Sequence, residues 1–195
     1  LEKRIAFVSS STMNGIKESL LTQCSKHNIL LDIFVTEYNQ FAQAVLDQSS
    51  ELYAFDPEVV FLHLDTRTLA GDLFLNSNNT NFHIDEWEKE TISLMSTLIS
   101  ILTKRGIKTV ISSLEVPHIS SLGILESSSN GLRQSVRRIN LDLTTQCNDN
   151  EYLFLFDYDL FLGKIGKIQS FDERLYYLAD MRLKPSYLSE FADAG

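Results

Sequence analysis

Residues 5–15 read IAFVSSSTMNG: an apolar run stops at three serines and a threonine, and a glycine follows. A serine hydroxyl at the end of a strand can act as a nucleophile if a base takes its proton and a third group orients that base. Ser11 is the candidate nucleophile, with Ser9, Ser10 and Thr12 as candidate substrate contacts. The competing reading is that one of these hydroxyls only caps a helix starting near Met13. Of the four histidines, His27 falls in a turn, His63 inside an apolar strand and His83 in an asparagine-rich loop, so only His118 follows a strand end. In LDTRT, Asp65 and Arg67 flank a threonine. They read equally as contacts for a polar or phosphorylated ligand and as a local ion pair or helix cap, because an acid ending a buried strand is costly unless paired or exposed. Asn39 in TEYNQ is a further candidate contact. Asp157 and Asp159 raise a metal question, but two carboxylates are too few to specify a cation; strand-end caps are expected, and no metal.

Five β-rich runs must position these residues: 4–9, 29–36, 58–64, 108–114 and 151–157. The first, third and fifth are nearly continuous in apolar character, as expected of parallel strands covered on both faces. Helical patterns separate them. The clearest is DEWEKETISLMSTLISILTKRG, with Asp85, Glu86, Glu88 and Glu90 at its start and Lys104, Arg105 and Gly106 at its end, the order the helix dipole favours. Alternating strands and helices imply an α/β three-layer sandwich, a five-stranded, mainly parallel sheet with helices on both faces. Ligands of open α/β sheets bind outside the carboxyl ends of the strands, where these polar residues collect. NSNNTN (76–81) reads as a polar surface loop.

Bulk composition narrows the function classes. The chain has 195 residues, 44% of them hydrophobic, and a net charge of −9, which suits one well-buried domain and disfavours nucleic acid. Arg133, Arg137 and Arg138 form the one basic cluster, read as a solvated helix face or a local patch for a partner. The distant Cys24 and Cys147 form neither a disulfide framework nor a zinc site, and a reducing, cytoplasmic location is expected. No apolar run approaches the roughly 18 residues of a membrane span. The chain starts at Leu1 and is expected to be a piece of a longer protein.

Two resemblances follow from these motifs. In SGNH-type hydrolases a strand runs into Gly-Asp-Ser, then threonine, then glycine; Ser9-Ser10-Ser11, Thr12 and Gly15 fill those slots here. The resemblance implies a Ser11 hydroxyl beside backbone amides at a helix N-terminus, an oxyanion-stabilising position. The other blocks depart from the pattern. Where the hydrolases carry Asp-x-x-His-Pro, ADMRLKPSYL offers Asp180 and Pro185, with Lys184 where a histidine might stand; a lysine with an unperturbed pKa of about 10.4 is a poor base at neutral pH. HLDTRT replaces the Gly-x-Asn-Asp block.

The ordered series KRIAFVSSSTMNGIKESL, TEYNQFAQAVLDQSSELYAFDPEVVFLHLDTRTL, SSLEVPHISSLGILE, INLDL, FLFDYDLFLGKIG and FDERLYYLADMRLKPSYLSEFA resembles the N-terminal SGNH-like domain of the FkbH-like proteins, a HAD-superfamily (subfamily IIIC) group. The resemblance implies a flavodoxin-like or SGNH-like fold and a HAD catalytic domain in cis. It also implies a family that loads a glyceryl unit, derived from a phosphorylated glycerate, onto an acyl carrier protein in polyketide or related pathways. The HAD domain needs Asp-x-Asp-x-Thr and magnesium; FDYDLF lacks the threonine, so no cofactor is expected in this domain. The expected function is therefore binding of substrate or carrier protein without catalysis. The alternatives are a serine esterase or acyl transferase using Ser11, and a structural or oligomerising module.

Overall fold

The computed structural model describes residues 1–71, 73, 83–119, 123, 126 and 131–194; the NSNNTN loop lies outside them. All five expected strands form, as β1 (Glu2–Ser9), β2 (Leu30–Val35), β3 (Val59–His63), β4 (Lys108–Ser112) and β5 (Leu153–Phe156). They make one sheet of order β2-β1-β3-β4-β5, with every neighbouring pair parallel. The chain steps one way from β1 to β2 and the other way to β3. The switch point therefore lies between the carboxyl ends of β1 and β3, where such sheets bind ligands.

Side chains alternate across each strand, and each face gathers its own core. Ala6 and Val8 face one side with Val60 and Leu62, covered by α2 (Phe41–Leu46), α5 (Ile84–Lys104) and α6 (Leu132–Asn148). Phe7, Phe61 and Phe156 face the other, packed with α1 (Ile16–Lys26), α7 (Tyr158–Ile165) and α10 (Leu188–Ala194). The expected three layers result. Shorter helices complete the rim: α3 (Glu51–Phe55), α4 (Thr66–Ala70), α8 (Lys167–Ser170) and α9 (Glu173–Ala179), with a 3₁₀ turn at Pro185–Tyr187.

The fifth strand departs from expectation. Among the described residues it pairs with β4 alone, and Phe154 is 47% exposed; its unbroken apolar run does not mean burial on both faces. Both cysteines are free and half-buried. Among the described residues, no helix is long and apolar enough to cross a membrane.

Candidate functional site

β1 carries the chain into the switch point, and the serines divide the work there. The Ser9 hydroxyl donates to the Ser11 carbonyl (2.9 Å) and accepts from the Ser11 amide (3.2 Å). Ser10 joins β1 to β3: its amide donates to the His63 carbonyl (3.1 Å) and its hydroxyl accepts from the Asp65 amide (2.8 Å). Thr12 continues to a third segment, its amide donating to the Asp180 carbonyl (3.2 Å), with a parallel bridge to Met181. None of these hydroxyls caps α1. That helix begins only at Ile16, behind Gly15, which has φ 93° and no side-chain cap. This corrects the helix-cap reading, and it also leaves Ser11 several residues short of the helix N-terminus. Gly15 is fixed by its left-handed backbone and by the Leu188 Cδ1 atom, 3.2 Å from where a Cβ would sit.

The Ser11 hydroxyl, in a residue 3% exposed, has no hydrogen-bond partner, so among the described residues no base is within hydrogen-bond reach of it. His63 is the nearest histidine along the bonded network and is committed elsewhere. Its Nδ1 lies 2.9 Å from the Ser112 hydroxyl, and its ring meets Tyr158 edge-on at 4.7 Å. Burial pushes its pKa down to about 4, against the pull of Asp65, so the ring is neutral near pH 7. His118 sits at the β4 side, with Nδ1 3.3 Å from Glu115; His27 and His83 are exposed.

Asp65 caps α4, accepting from the Thr68 amide at 2.9 Å, and is almost wholly buried. The cation that pairs with it is Arg182, whose Nε is 3.0 Å from Asp65 Oδ2. That contact is ionic without hydrogen-bond geometry, because Arg182 Nε and Nη1 are both buried with no acceptor. Arg182 Nη2 pairs with Asp180 Oδ1 at 2.9 Å, and the guanidinium packs on the Tyr176 ring at 4.0 Å. Asp180 Oδ2 is again without a partner. Burial raises the Asp180 pKa, with Arg182 opposing, and burial together with Asp180 raises that of Tyr38. Arg67 packs on the same Tyr176 ring (4.8 Å) and on Phe171 (4.6 Å).

Every buried, unpartnered polar side-chain atom among the described residues belongs to this constellation: Ser11 Oγ, His63 Nε2, Asp180 Oδ2, and Arg182 Nε and Nη1. Native structures leave few such groups, and each asks for a reason. An open pocket of about 470 Å³ adjoins them, lined by Thr12, Tyr38, Tyr176, Tyr177, Leu178, Ala179 and Asp180. Arg182 lines a nearly closed space of about 10 Å³, the size of a single water.

The sequence candidates thus separate. Ser11, Thr12 and Asp65 share the site; Ser9 and Ser10 build its floor; Arg67 lines its aromatic wall. Asn39 is an exposed turn residue with φ 54°, and its neighbour Tyr38 is the one that lines the pocket. Lys184 starts the 3₁₀ turn, its amide bonded to the Ser170 carbonyl, and the cation that reaches in from this block is Arg182. Asp157 caps α7, and Asp159 accepts from Lys167 and the Val116 amide. Among the described residues, no group of three or more His, Cys, Asp or Glu is placed to hold a metal ion. In the basic cluster Arg137 and Arg138 are exposed and Arg133 is half-buried. Arg133 donates to the Pro117 and His118 carbonyls (2.7 and 2.9 Å), and Arg138 grips Glu88.

These different duties predict opposite mutational effects. Ser10→Ala strands the buried Asp65 amide and is expected to destabilise by about 1–3 kcal/mol. Ser11→Ala removes a hydroxyl that bonds nothing and is expected to be neutral or mildly stabilising. Urea denaturation of the two variants separates them.

A five-stranded parallel sheet of this order, with a serine turn after β1 and the Asp180–Pro185 segment crossing its mouth, defines a protein of the SGNH (G-D-S-L) hydrolase-like fold. Solved structures agree. An acetyl xylan esterase, AlAXEase, superposes with TM-score 0.54 at 14% identity, over 98% of this chain and 96% of its own. A protein assigned to the G-D-S-L family from Desulfitobacterium hafniense DCB-2 gives 0.51 at 8% identity, over 98% of each chain. The N-terminal part of a Bacteroides fragilis protein, containing a phosphatase domain and complexed with Mg, gives 0.82 at 15% identity, over 99% of this chain. The chain spans about half the length of that structure (50%). The model of the FkbH N-terminal domain matches residues 4–194, and the chain belongs to that family. No curated protein matches it in sequence.

Proposed function

We propose that this chain binds a small polar ligand or a partner at the β1–β3 switch point without catalysing a reaction of its own, as the N-terminal domain of a longer, cytoplasmic FkbH-like protein. One observation carries the reading. Among the described residues, the serine at the nucleophile position has no base within hydrogen-bond reach, and the segment that would supply one contributes a guanidinium held between two carboxylates. An arginine stays protonated at any working pH and cannot take a proton from serine. On this reading catalysis belongs to a HAD domain in cis, which holds the magnesium. The Bacteroides fragilis structure, with its phosphatase domain and Mg, supports that arrangement. The family resemblance makes an acyl carrier protein the macromolecular partner, and the net charge of −9 argues against nucleic acid.

The fold favours one rival, a serine esterase or acyl transferase using Ser11, since an acetyl xylan esterase shares it. A fluorophosphonate probe decides between them. The intact protein is expected to stay unlabelled; labelling that Ser11→Ala abolishes would establish the esterase instead.

A further inference from the structure

Residues 171–183 leave the body of the domain and return to it. The Lys184 amide donates to the Ser170 carbonyl at 2.9 Å, so the ends of the excursion meet, as in an Ω-loop. Its two limbs are held differently. The returning limb is anchored: Met181 and Leu183 are buried, Met181 bridges to Thr12, and Arg182 pairs with Asp65. The outgoing limb, residues 171–179 with α9, contains no buried residue, the mark of a segment that opens at low free-energy cost. Asp180 joins the two, with a left-handed backbone at φ 51° and its carbonyl held by the Thr12 amide. Tyr176 ties the outgoing limb down. Its ring lies on the guanidinium groups of Arg182 (4.0 Å) and Arg67 (4.8 Å), neither of which belongs to that limb.

At the root of the limb, Ser170 and Phe171 line the nearly closed space of about 10 Å³ together with Arg67, Glu115, His118 and Tyr158. Those last four side chains follow the carboxyl ends of β3, β4 and β5, and among them they donate, accept and carry both charges. The volume admits a single water, so nothing larger occupies the space while the limb is closed. Phe171 belongs to the limb, and its ring packs on Arg67 at 4.6 Å. We infer that residues 171–179 are a lid, latched by Tyr176, which swings about Asp180 and admits solvent and small solutes to the polar space beside Phe171. The lid goes beyond the binding reading above, since its opening needs no ligand.

The test is native-state hydrogen exchange of the ¹⁵N-labelled chain, with rates corrected for intrinsic exchange. The Tyr176 and Asp180 amides bond within the lid, to the Asp172 and Tyr176 carbonyls (2.9 Å each), and the Ser10 amide bonds in the sheet, to the His63 carbonyl. The lid amides are expected to exchange roughly a hundred-fold faster than that of Ser10, with little dependence on sub-denaturing urea. Ile111→Val, in the sheet core, weakens contacts that survive lid opening; it should speed Ser10 exchange about five-fold and leave the lid amides unchanged. Tyr176→Ala removes contacts made only in the closed state and should speed the lid amides about ten-fold, whereas Tyr176→Phe, which keeps the ring, should match the parent. Access to the space is read by Ser170→Cys in a Cys24→Ala, Cys147→Ala background. The introduced thiol should react with a disulfide reagent at a rate that Tyr176→Ala raises about ten-fold and Ile111→Val does not change. Lid amides that follow Ser10 in urea and in Ile111→Val would show that the segment opens only with the whole domain, which overturns the lid. A Tyr176→Ala variant with parental lid exchange overturns the latch, and a thiol rate that follows Ser10 exchange overturns the gating of the space.

Discussion

Arg182→Ala is expected to lower stability by roughly 3 kcal/mol, the low end of what removing one partner from a buried ion pair costs. The low end applies because the Arg182 side chain keeps 10% of its exposure, although Asp65 keeps only 3%. The substitution leaves two carboxylates, Asp65 and Asp180, without the guanidinium that pairs with both, and it strips the Tyr176 ring of one of its packing partners. For a chain of this size 1 kcal/mol corresponds to roughly 2–4 °C in Tm, so a fall of about 10 °C should appear in a thermal melt. Two further variants separate charge from packing. Arg182→Met keeps an aliphatic stem on Tyr176 and should lose most of the same stability. Combining it with Asp65→Asn removes the stranded charge and should recover part of it, a coupling that a double-mutant cycle measures. An Arg182→Ala melt within 2 °C of the parent would mean that the pair contributes nothing and that the Asp65 carboxylate is solvated.

That pair also marks where sequence reading stops. The strands were legible because Val, Ile, Leu and Phe in short runs between turn residues have few other uses, and the serine turn after β1 was legible by its position. Asp65 announced a need for a partner, since a carboxylate ending a buried strand cannot stand alone. Its nearest cation in sequence, Arg67, instead lies on the aromatic rings of Phe171 and Tyr176. The partner comes from Arg182, which only the parallel bridge between Thr12 and Met181 brings alongside; no local spacing encodes a contact between segments so far apart. Lys184 drew attention because it precedes Pro185, yet the proline starts a 3₁₀ turn whose N-terminal position Lys184 occupies. Asn39 and Tyr38 show the same limit at shorter range. The left-handed turn at Asn39 suits asparagine for backbone reasons, and the residue presented to the pocket is its neighbour. The division among the three serines follows from which amides lie within reach after folding, which composition does not reveal.

His63 is expected to make the protein acid-sensitive well above the pH at which its carboxylates protonate. In the unfolded chain its pKa is about 6.5; in the fold, burial lowers it to about 4. Between those values the unfolded state binds a proton that the native state refuses, so stability is full above about pH 6.5 and falls as pH drops toward 4. From pH 7.5 to pH 5 the loss is about 2 kcal/mol. Asp180 acts with the opposite sign: its raised pKa means that the native state binds a proton more readily than the unfolded one, which softens the decline at the acid end. Burial is the cause at His63. The ring sits among Phe7, Tyr158 and Phe191, its Nδ1 on Ser112, and its Nε2 meets no acceptor that could hold a proton's charge. His63→Gln keeps a polar group for Ser112 and removes the titration. Urea unfolding at the two pH values should give a parent that loses about 2 kcal/mol more than the variant. Equal losses would mean that the imidazole takes up its proton in the folded state near its ordinary pKa, and hence that water reaches a ring the packing encloses.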